Sequence, residues 1–207
     1  MREKRWFAPV YMFIVTAMFS SVVIGFARRT QNLVEANARL ALETAVLQVI
    51  PQLYSEDASR LELHRIFVEQ VSEPTDESGG AYVYKKDSRI EAYAVPFSGR
   101  GFWATISGVV GVKPDKKTVT GIAFYEQSET PGLGAEITKP AFKNQFPGRI
   151  LAQKAEPLKM KRPGEPLAEN EYHAVTGATQ TSTRLEKIIN DALVLWREKL
   201  EKGGGTN

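Results

Sequence analysis

Residues 6–27 of this 207-residue chain carry no charged side chain, and that run constrains the fold more than any other feature. Phe7, Val10, Met12, Phe13, Ile14, Val15, Met18, Phe19, Val22, Val23, Ile24 and Phe26 supply most of its bulk. About twenty such residues in a helix cross a bilayer. A cleaved signal peptide is the rival reading, since Ser20, Ser21 and Ala27 are small. The run is longer than an ordinary signal core and no clear A-x-A site follows it, which favours an uncleaved anchor. Pro9 falls in the first turns, where a helix tolerates it. Arg2, Lys4, Arg5 and the amino terminus precede the run, and Arg28 and Arg29 follow it. That small difference leans towards an internal N-terminus, with the rest of the chain outside.

Beyond the anchor there is room for one domain. The net charge is only +3 and the basic residues are scattered, which argues against a nucleic-acid surface. The absence of cysteine excludes disulfides, Fe–S ligation by this chain and thiol nucleophiles. His64 and His173 show no metal-ligand spacing, so no metal site is expected. Any electron transfer here needs an organic cofactor.

Along residues 30–50, Leu33, Val34, Ala38, Ala41, Ala45, Val46 and Val49 recur at helical spacing until Pro51, which reads as a stalk helix. Residues 55–80 are polar, with an apolar patch at Leu63, Ile66, Phe67 and Val68. The period then changes. Residues 81–85 and 90–97 flank one turn, and 103–112 and 118–126 flank another, giving an antiparallel meander with one buried face. Residues 142–150 read as a short helix or turn packed by Phe142 and Phe146. Residues 159–170 read as surface loop. Thr183 and Glu186 fit a capping box opening a last helix, whose stripe of Leu185, Ile188, Ile189, Ala192 and Trp196 covers the sheet. The class is α+β.

Two stretches carry chemistry. In Thr176-Gly177-Ala178-Thr179-Gln180-Thr181-Ser182, several hydroxyls lie on a backbone loosened by Gly177, beside the positive end of a helix, which suits a phosphate. The plainer account is a polar helix lead-in whose hydroxyls satisfy orphan N–H groups. In Glu129-Thr130-Pro131-Gly132-Leu133-Gly134-Ala135-Glu136, Pro131-Gly132 fits the centre of a type II turn. Gly134 would let a flat ligand approach the backbone, with Leu133 as an apolar contact. The plainer account here is a turn that needs glycine for geometry alone.

Together, the segments 129–134 and 176–179 resemble the paired signatures of the membrane-anchored FMN-binding subunits of ion-translocating redox complexes. The family comprises the singly anchored covalent-FMN subunits of the Na+-translocating NADH:quinone oxidoreductase and of the Rnf electron-transport complex. The likeness runs from about residue 80 to 196 and includes the single anchor. Residues 101–105 and 124–126 look nearer the quinone oxidoreductase subunit, and the short length nearer the Rnf one. The resemblance implies a bacterial inner-membrane protein with residues 1–29 as anchor, 30–78 as stalk helix and connector, 79–200 as an FMN-binding domain on the periplasmic side, and 201–207 as a disordered tail. It implies FMN joined to Thr179 by a phosphoester that a flavin transferase makes from FAD, with Trp103, Thr130 and Leu133 near the flavin ring. Thr176, Gly177, Ala178, Thr181, Ser182, Glu129, Gly132 and Gly134 complete the expected cofactor site, and no residue is catalytic in its own right. The remaining partners are the other membrane subunits of the complex. A stand-alone extracytoplasmic flavoprotein and a cofactor-free anchored binding module are the competing readings. In one departure, His173 stands where the family commonly has an acidic residue. Glu171 is a candidate substitute, and a plain loop role for His173 outweighs a general-base role.

Overall fold

The computed structural model describes residues 6–153 and 155–203. It divides into two compact units, Met1–Arg39 and Leu40–Asn207. Helix α1 runs from Phe7 to Gln48 and contains an 18-residue window of mean hydropathy 2.1, none of it buried, so it is long and apolar enough to cross a bilayer. The expected basic flank at Arg2, Lys4 and Arg5 lies outside the described residues. Pro51 follows the helix end, as the spacing predicts.

The second unit is built on a five-stranded antiparallel meander in the order β1 (Val71–Ser72), β2 (Tyr82–Lys86), β3 (Arg89–Arg100), β4 (Thr105–Val112) and β5 (Val119–Glu126). Asp87 and Ser88 both take positive φ, 50° and 63°, and make the two-residue turn that suits the twist of a β2–β3 hairpin. In the β4–β5 turn, Asp115 Oδ1 accepts from the amides of Lys117 and Thr118, and Oδ2 from the Thr118 hydroxyl. Slight burial pushes the Asp115 carboxyl up, but these donors outweigh it and hold it below its ordinary value.

The sheet buries two faces, where the sequence pattern predicts one. Val83, Tyr93, Val95, Phe97, Ile106, Val110 and Ile122 pack with Leu185, Ile189, Leu193 and Trp196 of helix α4 (Thr179–Gly203). On the other face, Tyr82, Tyr84, Ala92, Ala94, Val109 and Ala123 pack with residues 45–50 at the end of α1, and with Leu63 and Phe67 of α2 (Arg60–Gln70). Segments read from the sequence as stalk and connector thus contribute to a core. Small residues make this second layer feasible. Gly111 and Gly121 pair across β4–β5 beneath Val49, and the Thr120 hydroxyl donates to the Val49 carbonyl at 2.5 Å. Near the same layer, buried Glu43 shares a hydrogen bond with His64 Nδ1 at 2.7 Å.

After β5 come a 3-10 turn (Gly134–Thr138) and helix α3 (Pro140–Lys143), where Phe142 and Phe146 pack with Tyr172 at centroid distances of 5.9 and 4.8 Å. The stretch 159–170 is not loop throughout. Strand β6 (Lys159–Lys161) pairs in parallel with β7 (Glu171–His173). The reason lies just before it: Leu158 is buried, and Asn190 of α4 brackets it, accepting from its N–H and donating to its carbonyl. Helix α4 extends through residues 201–203 of the expected tail, and residues 204–207 lie outside the described part. The result is the α+β fold with an N-terminal apolar helix, an antiparallel sheet and a covering C-terminal helix.

The two paired glycines predict opposite outcomes. A Cβ on Gly111 would meet the Val49 carbonyl and Cβ at 2.5 and 2.7 Å, whereas one on Gly121 meets only the Val49 Cα at 3.9 Å. Gly111→Ala should therefore lower stability by about 1–3 kcal/mol in urea unfolding, with Gly121→Ala neutral or slightly stabilising.

Candidate functional site

The site is assembled around one buried carboxylate. The β3–β4 connection closes with the Gly101 N–H donating to the Ala104 carbonyl at 2.7 Å, which pushes Phe102 and Trp103 outward. Trp103 is 62% exposed, yet its backbone N–H donates to Glu129 Oε1 and its indole N–H to Thr130 Oγ1, both at 3.0 Å. Glu129 is only 4% exposed, and its Oε2 accepts from the Thr181 hydroxyl at 2.6 Å. Gly101 and Gly134 let the backbone close over this carboxylate, since a Cβ at either would come within 2.6 or 2.8 Å of a Glu129 oxygen.

The turn after Glu129 has the type II form that Pro131-Gly132 predicts. Gly132 takes φ +75° and the Leu133 N–H donates to the Thr130 carbonyl at 3.1 Å. Leu133 projects outward, 44% exposed, and its Cδ2 lies 3.2 Å from where a Cβ on Gly177 would sit. Gly177 itself has φ +77°, a conformation that side chains resist. The two sequence signatures are therefore adjacent in space, joined by the Glu129–Thr181 bond and the Leu133–Gly177 contact.

Helix α4 begins at Thr179, four residues earlier than a cap at Thr183 would place it. The expected Thr183–Glu186 box does not form, because Glu186 Oε1 accepts instead from the Met160 N–H at 2.6 Å. Burial pushes the Glu186 carboxyl up despite this bond. At the helix start, Thr176, Gly177 and Thr179 are exposed while Ala178 is buried. Thr181 and Ser182 are 3% and 1% exposed. Their hydroxyls are engaged inside the fold, Thr181 with Glu129 and Ser182 accepting from the Val175 N–H at 3.2 Å. Of the expected cofactor contacts, Thr181, Ser182 and Glu129 thus face one another or the backbone rather than solvent. Trp103, Thr130, Gly132, Leu133, Thr176 and Thr179 remain on the accessible side. The N–H groups of the first helical turn have no intrahelical acceptor, and the helix dipole is positive there.

His173 lies on β7, with its Nε2 2.8 Å from the Glu165 carbonyl and its N–H donating to Gln145 Oε1. Glu171 Oε2 accepts from the Ala168 N–H, so that carboxylate serves its own turn. Arg149 donates to the Gln145 and Ala168 carbonyls. None of the three reaches the Thr179 surface through these bonds. Sequence reading did not find the bridging role of Glu129; the one available signal was an acid placed directly before a turn motif.

An exposed threonine at a helix start, a glycine bend beside it and an outward tryptophan define the surface of a flavin-phosphate site, and residues 101–194 match the FMN-binding domain family. The relatives are of one kind, the NqrC component of the Na(+)-translocating NADH-quinone reductase. That of Pasteurella multocida is 36% identical over 118 residues, 56% of this chain and 44% of that protein. Its counterpart in Chlamydia pneumoniae is 48% identical over 77 residues, 37% of this chain and 24% of that protein. The chain thus spans less than half the length of these curated relatives. Among solved structures, the counterpart from Parabacteroides distasonis superposes with a TM-score of 0.66 at 24% identity, covering 84% of this chain and 96% of that one. Shewanella oneidensis NqrC gives 0.63 at 22% identity, covering 83% and 100%. Both show the shared fold, and the relatives bear out the resemblance to the quinone oxidoreductase subunit.

Two outcomes follow from this geometry. Glu129→Ala strands the Trp103 N–H and the Thr181 hydroxyl, and should cost about 1.5–3 kcal/mol with faster hydrogen exchange at the Trp103 amide. A carboxyl raised in the fold stabilises it most below the ordinary value of 4.5 and loses that contribution as pH rises through the folded value. Urea midpoints of Glu186→Gln should therefore decline less than wild type between pH 4.5 and 7.

Proposed function

We propose that this chain is an electron-transfer subunit of a membrane redox complex of the NADH-quinone reductase type, with FMN esterified to Thr179. The observation that carries this reading is the exposure of Thr179 at the start of α4, next to the Gly132–Leu133 bend. An Rnf-type complex would use the same surface in the same way.

The residues present fit the group. Gly177 leaves the approach to Thr179 free of a side chain, and the free N–H groups of the first turn of α4 face the position of a phosphate. That phosphodiester keeps one negative charge, which the helix dipole would stabilise by about 0.3–1 kcal/mol. Trp103 and Leu133 offer flat and apolar contacts for a ring system, and the Thr130–Trp103 hydrogen bond holds the indole in place. FMN, when bound, supplies the redox chemistry, and this chain supplies position and electrostatics. In the attachment step, the Thr179 Oγ–phosphorus bond forms as the pyrophosphate link of FAD breaks. AMP leaves, and the hydroxyl proton passes to a base on the flavin transferase. No electrons change hands in that step. Helix α1 serves as the single-pass anchor in the bacterial inner membrane, the domain faces the periplasm, and the electron donor and acceptor are neighbouring membrane subunits.

Coexpression with a flavin transferase should add the mass of FMN less water and give in-gel flavin fluorescence after denaturation. Thr179→Ala should abolish both. A wild-type chain that stays unmodified under those conditions would overturn the attachment. Colourless, non-fluorescent protein throughout would favour an anchored module without cofactor.

A further inference from the structure

Strand β3 is longer than its neighbour β2. Their pairing ends at Tyr82↔Ala94, so residues 95–100 have no strand on that side. The Gly101 N–H turns inward to Ala104, and Gly99 and Phe97 share its parity in the register with β4. The backbone groups of Pro96, Ser98 and Arg100 therefore face the open edge. Pro96 has no N–H to lose there, which is where a sheet tolerates proline. The Ser98 and Arg100 N–H groups, and the carbonyls of all three, have no backbone partner among the described residues.

This edge forms one wall of a groove of about 630 Å³, and α4 forms the other. Ile188, Ala192 and Leu195 give it an apolar floor. Arg100, Arg184, Lys187 and Lys199 line it against a single acid, Asp191. Six extended residues span about 20 Å, close to the rise of α4 from Arg184 to Lys199. At one end Arg184 sits over the Phe102 ring at 6.0 Å, and Phe102 meets Trp103 edge-on at 5.0 Å. The groove therefore opens beside the Trp103 surface.

We infer that this groove takes an extended acidic segment of a partner protein, added to β3 as a further strand. Main-chain bonds to Ser98 and Arg100 give the register, and the basic rim selects the charge. The docking site stands on its own geometry; only its use in holding a redox partner near the flavin rests on the function proposed above.

The test uses the full chain in detergent, unflavinylated as Thr179→Ala, with a fluorescent peptide alternating Glu or Asp with Val. Binding by anisotropy and slowed exchange of the Ser98 and Arg100 amides are expected. Arg184→Glu with Lys187→Glu should weaken binding at least tenfold. Ser98→Pro should also weaken it, while Ser98→Ala, which keeps the N–H, should bind as the parent does. Equal binding of the matching Lys–Val peptide, or no protection of the two amides, overturns the proposal. So does displacement of the acidic peptide by phosphatidylglycerol vesicles that protect the same amides, which would assign the groove to a lipid surface. Loss of flavin attachment without loss of peptide binding would count against the flavin reading alone.

Discussion

The carboxylate of Glu129 holds together three pieces of chain that have no other reason to meet. It lies beneath the surface, accepts from the Trp103 backbone and the Thr181 hydroxyl, and is closed over by two glycines. A buried acid is costly unless its lone pairs are used, and here the fold uses them on both oxygens. Because the bonds run to separate segments, the outward positions of Trp103, Leu133 and Thr179 are set by one interior group. The accessible surface is therefore ordered from below, by residues a ligand need never touch.

The same logic of small residues making room runs through the sheet. Gly111 and Gly121 admit the backbone of Val49, and the end of α1 becomes a layer of the core. The other face is closed by the long apolar stripe of α4, anchored by Trp196, whose indole N–H donates to the Ser78 carbonyl at 3.1 Å. A meander enclosed on two faces is a firm support for a loop-borne site.

Much of the architecture was legible in the residues. The hairpins, the Pro131-Gly132 bend and the apolar stripe of α4 each have local causes, in turn chemistry or period. The second buried face was not legible, because Ser-Gly-Val-Val-Gly-Val in β4 reads alike whether one face or both are covered. The start of α4 was misread for a related reason: Thr183 and Glu186 satisfy the local pattern, but Met160 claims the glutamate from a distant strand. The site residues were picked out as a group, yet sequence cannot separate the hydroxyls that face inward from those that face out. That division depends on a partner 52 residues away.

Along the first turn of α4, successive side chains point about 100° apart, so Thr179 and Thr181 fall on opposite sides. Glu129 pins the phase of that turn by grasping Thr181. Among neighbouring alcohols of nearly equal intrinsic reactivity, the fold thereby shields two and presents one at the helix start. Regioselectivity at this stretch is thus written into rotation about the helix axis, and a modifying enzyme need not discriminate between chemically similar oxygens by itself.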